Sequence, residues 1–229
     1  MVQADDLEQQ KRCAGEAAAG EVRDGMLVGL GTGSTAAYAI EALGRRVAEG
    51  LAITAVCTSD RTAALATASG IPVRDLAEVA VVDLAIDGVD EIDGAFRAIK
   101  GAGGAMLREK VVAAAARRMI AIADSSKPVE ALGASPVPVE ILPVARSFVA
   151  AAVERLGGTP VLRRGGGEAP ARTDQGNWIL DCRFAAIGDP AALAGALAII
   201  PGALGHGLFL SEIDELIVGT AEGTIRRKK

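Results

Sequence analysis

Two rhythms of apolar and polar positions alternate along the first half of the chain. Short unbroken apolar runs (MLVGL from Met26, LAITAVCT from Leu51, VVDLAI from Val81 and MIAIA from Met119) have the length and composition of buried strands. Between them apolar residues recur at helical spacing, as Ala36, Ala37, Ile40, Leu43 and Val47 do after the first run. The same reading predicts helices over 6–22, 60–69 and 105–118, with a short strand around Ile71 to Val73. Strand, loop and helix in repetition imply a Rossmann-like α/β fold, a mainly parallel sheet with helices on both faces. Ligands then gather at the carboxyl ends of the strands.

Beyond Gly133 the rhythm changes. VPVEIL, a helix over 145–156, PVLR, NWILDC, a helix over 189–199 and ALGHGLF give the order β-α-β-β-α-β, a smaller α+β ferredoxin-like domain. DELIVGT reads as one more strand returning to the first sheet, and RRGGGEAPARTDQGN as an exposed loop. The expected domains are a Rossmann-like catalytic domain over 1–132 and 208–229, and the small domain over 133–207.

Composition sharpens this picture. Half of the 229 residues are hydrophobic but only 3% are aromatic, so the core must be aliphatic and alanine-rich, which suits helices packed on a parallel sheet. A net charge of -5 argues against a nucleic-acid surface. The basic IRRKK at the end reads as a solvated terminus. Cys13, Cys57 and Cys182 are odd in number and widely spaced, with no zinc or redox pattern, which points to a reducing cytoplasm. MVQADDLEQQKR is too acidic for a secretory signal, and the uncharged stretch after Pro190 is broken by Pro201 and glycines, so no membrane association is expected.

Four stretches carry candidate chemistry. GTGSTA, from Gly31 to Ala36, satisfies G-x-G-x-x-A between a strand and a helix. A nicotinamide cofactor also needs an acid at the end of the next strand, where this chain has Cys57, Thr58 and Ser59. What remains is a phosphate site made of backbone N–H groups, the Thr32, Ser34 and Thr35 hydroxyls and a helix N-terminus. DGVDEID follows a strand, so Asp87 and Asp90 are placed to bind hydroxyls of a polar ligand. In KGAGGAMLREK, glycines 101, 103 and 104 let a backbone approach a ligand, Lys100 supplies a cation, and Glu109 opens a helix. Burial can raise a glutamate from about 4.3 toward 6 or 7, the range a general base needs. Lys127, in ADSSK, reaches the same sheet edge as a phosphate counter-charge. The single histidine, His206, stands among apolar residues and glycines and reads as structural.

Taken in order, GTGSTA, TSD, DGVDEID, KGAGGAMLREK, IADSSK and VPVEILPVAR closely resemble the ribose-5-phosphate isomerase A family over nearly the whole chain. The resemblance implies reversible aldose-ketose conversion of D-ribose 5-phosphate and D-ribulose 5-phosphate in the non-oxidative pentose phosphate pathway. It implies no metal and no organic cofactor, a homodimer or homotetramer, and an oligomer contact on the small domain. Glu109 is implied as the proton-transferring base. Substrate contacts are implied at Thr32, Gly33, Ser34 and Thr35, at Asp87, Gly88, Val89 and Asp90, at Lys100, Gly101, Ala102 and Gly103, and at Lys127, with Lys11 near the phosphate. Lys100 and the glycine-loop amides are candidates for holding an enediolate oxyanion, and Asp87 for helping to open the sugar ring. His206 and FLSEIDE depart from the family pattern outside these positions. Two other readings stand beside it: a sugar-phosphate-binding sensor, and a coenzyme A transferase-like enzyme using Glu109 covalently.

Overall fold

The computed structural model describes residues 4–185 and 187–229. In chain order the first elements are α1 (Ala4–Ala19), β1 (Leu27–Leu30), α2 (Ser34–Ala48), β2 (Thr54–Cys57), α3 (Asp60–Ala68) and β3 (Leu84–Gly88). Next come β4 (Glu91–Ile92), β5 (Ala98–Ile99), α4 (Met106–Ala115), β6 (Met119–Asp124), β7 (Val137–Ile141), α5 (Arg146–Arg155) and β8 (Thr159–Leu162). The rest are β9 (Trp178–Arg183), α6 (Pro190–Ala198), β10 (Ala203–His206), β11 (Leu208–Phe209), β12 (Glu215–Thr220) and β13 (Gly223–Lys228). The chain divides into two compact units, the first holding the residues up to Val89, Arg108–Pro128 and Ser211–Lys229, the second Asp90–Leu107 and Val129–Leu210.

In the first unit one six-stranded sheet runs β13-β12-β6-β3-β1-β2, parallel except for β13. Val28 and Leu30 are buried in one cluster with Ala14 and Ala18 of α1 and Ala39, Ile40 and Leu43 of α2. Gly29, between them, faces the other way, where a Cβ would come within 2.4 Å of Val112 on α4. Helices therefore cover both faces. Alanine and glycine let them come close: a Cβ on Gly15 of α1 would lie 2.8 Å from the Ala39 nitrogen of α2, and one on Gly219 of β12 would lie 1.8 Å from the Gln10 carbonyl oxygen. Each fully buried Leu, Ile or Val stabilises this packing by about 1.5–3 kcal/mol.

The side chains of IRRKK are exposed, as a solvated terminus requires, but the backbone is an edge strand: β13 pairs antiparallel with the whole of β12, and Arg226 reaches Glu21 at 2.8 Å and the buried Glu215 at 2.9 Å. Two local expectations change. The strand expected around Ile71 to Val73 shrinks to a single bridge between Ala55 and Val73. The helix expected to Arg118 stops at Ala115, because the Ala115 carbonyl and the Arg117 N–H bond the backbone of Val82 instead.

The second unit carries a four-stranded antiparallel sheet in the order β10-β7-β9-β8, the strand order of the ferredoxin-like arrangement. Val137, Val139 and Ile141 point from β7 into a core with Val149 and Val153 of α5 and Leu197 of α6. Pro138 and Glu140 alternate to the opposite face. A small sheet, β11-β5-β4, is new to the sequence reading. ALGHGLF breaks into β10 and β11 at Gly207, where a Cβ would lie 2.1 Å from the Lys100 carbonyl oxygen, so the chain turns there from one sheet into the other. β5 pairs with β11 (Leu208 opposite Ile99), and this pairing ties 90–107 to the second unit, whereas the sequence reading placed that segment in 1–132. Among the described residues no helix is long and apolar enough to cross a membrane.

Candidate active site

Chain order along the parallel sheet reverses at β1, which has β2 on one side and β3 on the other. Ligands of open α/β sheets bind outside the carboxyl ends of strands at such a point. The loop after β1 is GTGST, and its shape is dictated by two glycines. A Cβ on Gly31 would sit 1.9 Å from the Asp87 Oδ1, so no other residue fits against that carboxylate. Gly33 has φ 138°, a left-handed value that favours glycine, and no side chain caps the start of α2. The N–H groups of that first turn are therefore left for an anion. Ser34 is exposed and Thr35 half-buried beside them.

Thr32 fastens this loop to its neighbours. Its N–H donates to Asp87 Oδ1 at 3.1 Å, and its hydroxyl is buried, donating to Ser59 Oγ at 2.8 Å. Ser59 donates in turn to Thr62 Oγ1 at 2.9 Å, and Thr62 returns to the loop by donating to the Gly31 carbonyl at 3.0 Å. Thr58 joins at 2.7 Å from the Thr32 hydroxyl. This closed circuit of hydroxyls fastens the glycine loop to the N-terminus of α3, where Ser59 also caps the Thr62 N–H at 3.1 Å. The circuit is not legible in the sequence, where Thr58 and Ser59 stand out only as a strand end without an acid and as part of TSD, and Thr62 not at all. Thr62→Val keeps the shape but leaves the Gly31 carbonyl and two hydroxyls short of a partner, and is expected to cost about 1–3 kcal/mol of stability while Thr62→Ser costs much less. Urea unfolding checks this, and equal midpoints for the valine variant and wild type would remove the circuit from the account.

Asp87, at the end of β3, accepts N–H groups from Thr32 and from Gly88, the latter at 2.7 Å. Glu109 lies in the first turn of α4, only 3% exposed. The charged residues on either side of it in sequence are paired as well: Arg108 holds Asp60 at 2.7 Å and Lys110 holds Glu212 at 3.1 Å. Asp87 and Glu109 line one narrow pocket with Gly31, Thr58 and Val112, too tight for a water molecule. Two carboxylates are thus buried together against Gly31, in the loop that leads into α2.

Lys127 follows β6, a parallel neighbour of β3, and so leaves the same sheet edge. Its turn is organised by buried Asp124, which accepts the Ser126 N–H at 2.9 Å, while the Lys127 N–H donates to the Asp124 carbonyl at 3.2 Å. Among the described residues the Lys127 ammonium has no partner. Lys11, on α1, pairs with Glu8 at 2.6 Å, and Glu8 accepts the Tyr38 hydroxyl from the second turn of α2 at 2.8 Å. These hydrogen bonds, that of Lys11 foremost, hold the Glu8 carboxyl below its ordinary range. Lys11 thus stands near the start of α2 but engaged by a carboxylate.

In the second unit the remaining acids of DGVDEID part ways. Glu91 accepts the N–H groups of Gly133 and Ser135, and Asp93 holds the turn to Arg97, with the Arg97 Nε at 2.7 Å. Both are structural. Asp90, half-buried, accepts the Ala102 N–H at 3.0 Å and so ties the acidic segment to the glycine loop. Lys100 is buried, with its ammonium 5.4 Å over the Phe209 ring and its N–H on the Gly207 carbonyl at 2.9 Å. Gly101 and Gly104 have φ 106° and 80°, while Ala102 and Gly103 form the exposed tip. His206 is buried in β10, its Nδ1 accepting the Leu208 N–H at 3.3 Å. Val89 is buried where the first segment of the first unit ends.

Comparison with known proteins follows from these features. The family model for ribose 5-phosphate isomerase A (phosphoriboisomerase A) matches residues 54–223. A ribose-5-phosphate isomerase A from Sphingopyxis alaskensis is 52% identical over 213 residues, 93% of either chain. One from Haloarcula marismortui is 53% identical over 218 residues, 95% of this chain and 94% of that one. Among solved structures, ribose 5-phosphate isomerase A from Methanocaldococcus jannaschii superposes with a TM-score of 0.93 at 39% identity, covering 97% of this chain and 99% of the other. A D-ribose-5-phosphate isomerase in complex with phospho-erythronic acid gives 0.94 at 36% identity, with the same coverage.

Proposed function

The chain belongs to the ribose-5-phosphate isomerase A family, and on that premise we propose that it interconverts D-ribose 5-phosphate and D-ribulose 5-phosphate through an enediolate. The observation that carries this reading is the burial of Glu109 and Asp87 in one pocket against Gly31, in the loop that leads into the uncapped start of α2. An aldose becomes a ketose when a base takes the proton from carbon 2 and returns it to carbon 1. Glu109 is the base. Asp87, oriented by two backbone N–H groups, binds a sugar hydroxyl and assists ring opening. The phosphate rests on the N–H groups of Gly33, Ser34 and Thr35, with their hydroxyls and with Lys127 as counter-charge; Thr32 contributes by holding the loop. Lys11 adds charge near the phosphate.

Lys100 and the amides of the glycine loop stabilise the enediolate oxygen, and Asp90 fixes that loop through Ala102. Gly88, Val89, Gly101 and Ala102 contribute backbone close to the sugar. A relative binds phospho-erythronic acid, a phosphate ester whose carboxylate spreads charge over two oxygens as an enediolate does, which supports such an intermediate. The reaction needs neither metal nor organic cofactor, since carboxylate, lysine and amide groups supply proton transfer and charge stabilisation.

We read the assembly as a homodimer or homotetramer formed through the second unit, where Val144, Ile199 and Phe148 are 93%, 81% and 54% exposed. The residues 1–132 and 208–229 are read as the catalytic domain. A reducing cytoplasm suits the three free cysteines, of which Cys57 and Cys182 have thiols pushed up to about 12, chiefly by burial.

The experiment is conversion of ribose 5-phosphate to ribulose 5-phosphate by purified protein with a chelator present. Turnover of at least about 1 per second, the low end of ordinary enzymes, is expected. Pure, folded, inactive protein that binds the sugar phosphate would favour a sensor, and acyl-CoA turnover a transferase.

A further inference from the structure

The glycine loop that carries Lys100 is held from behind by a residue to which nothing so far assigns a role. Arg163, at the end of β8, donates from Nη1 to two successive carbonyls, those of Gly101 and Ala102, both at 3.0 Å. Its other edge is fixed by Asp181 of β9, which receives Nε at 2.9 Å and Nη2 at 2.5 Å. The pair is mostly shielded, with side chains 17% and 24% exposed. Gly104 lies against the same guanidinium, and its φ of 80° is the left-handed value that favours glycine in the turn. The Gly101 carbonyl also accepts the Gly104 N–H at 3.0 Å, so the loop is closed on itself as well as clamped.

The geometry has a chemical result. In a trans peptide the C=O and N–H point in opposite directions. One guanidinium that gathers two successive carbonyls therefore turns the next two N–H groups, those of Ala102 and Gly103, to the opposite side. Asp90 takes the first of these at 3.0 Å. Among the described residues the second, on Gly103, meets no acceptor and lies at the exposed tip. A fixed N–H donor in the loop that carries Lys100 is what a developing oxyanion requires, and its value depends on being aimed before the charge appears.

We propose that Arg163, braced by Asp181, is a positioning residue that aims the Gly103 N–H as an oxyanion donor for the isomerisation. The proposal rests on the isomerase reading. A guanidinium is suited to the task because its planar fork offers separate edges to carboxylate and carbonyls, which a lysine does not.

Arg163→Gln, Arg163→Lys and Asp181→Asn in the full chain test it through kcat, KM for ribose 5-phosphate, the inhibition constant of inorganic phosphate, and the melting midpoint. Arg163→Gln is expected to lower kcat by about 10- to 100-fold, the effect of a misplaced catalytic group. KM and phosphate inhibition stay near wild type, because the anion-binding groups proposed at α2 and Lys127 are untouched. Arg163→Lys and Asp181→Asn should fall between, and hydrogen exchange in the peptide covering 100–106 should quicken in all three. A kcat within about twofold of wild type in Arg163→Gln overturns the proposal, being under half a kcal/mol of barrier. So does a joint fall of kcat, phosphate affinity and melting midpoint, which would make Arg163 an ordinary fold contact. Inactive wild type would overturn the isomerase reading and this one with it, whereas active wild type with an unaffected Arg163→Gln sinks only the clamp.

Discussion

Glu109→Gln is expected to leave the protein folded and to lower kcat by about 100- to 10,000-fold, the usual contribution of a positioned acid-base group. Glutamine matches glutamate in shape, so the packing of this 3% exposed side chain survives, but an amide cannot accept and return the proton. With the phosphate held as proposed, at the start of α2, KM should change little, and loss confined to kcat marks an interaction made in the transition state. Glu109→Asp keeps the carboxylate but withdraws it by one methylene, and should lie between the two. Progress curves with ribose 5-phosphate, together with circular dichroism of each variant, decide the matter. A glutamine variant within tenfold of wild type would move the base to another residue.

Gly31→Ala is expected to be nearly as damaging, for a steric reason. The added methyl would fall 1.9 Å from Oδ1 and 2.6 Å from Cβ of Asp87, a side chain held by the Thr32 and Gly88 N–H groups. Either the carboxylate or the loop must shift by more than an ångström, and misplacement on that scale costs about 100-fold in rate. Overpacking of this kind should also destabilise by about 1–3 kcal/mol. Measured kcat/KM and the urea midpoint should therefore fall together. An alanine variant with wild-type activity would show that the contact between Gly31 and Asp87 does not govern catalysis.

Much of this architecture is legible in the sequence because buried parallel strands are continuous apolar runs. MLVGL, VVDLAI and MIAIA each hold a strand of the first sheet, and the glycines and acids that follow the first two sit where the strands end. The small sheet was not legible, since two-residue strands such as β4 and β5 are shorter than any periodicity. Nor was β13: the charges of IRRKK read as solvated, yet an edge strand can carry such residues outward while its backbone pairs with β12. At the site, residue types with an obvious chemical use (Glu109, Lys100, Asp87) stood out. Thr62 and Arg163 did not, because they act through other residues and only distances reveal it. Of the acids in DGVDEID, the sequence could not say that Glu91 and Asp93 serve backbone turns.

The position of β12 in the sheet bears on how the protein is made. β12 pairs along β6 from Glu215 opposite Ile120 to Gly219 opposite Asp124, and Gly219 packs under Gln10 of α1. Everything from Val129 to Leu210 is synthesised between these two strands. During that interval a nascent chain emerging from the ribosome presents MIAIA with one row of backbone groups bare, an apolar edge open to pairing with other chains. Chaperone cover, or quick folding of the intervening segment, is needed until DELIVGT arrives to shield it. Variants that slow this stage would lower the yield of soluble protein without altering the activity of the molecules that do fold.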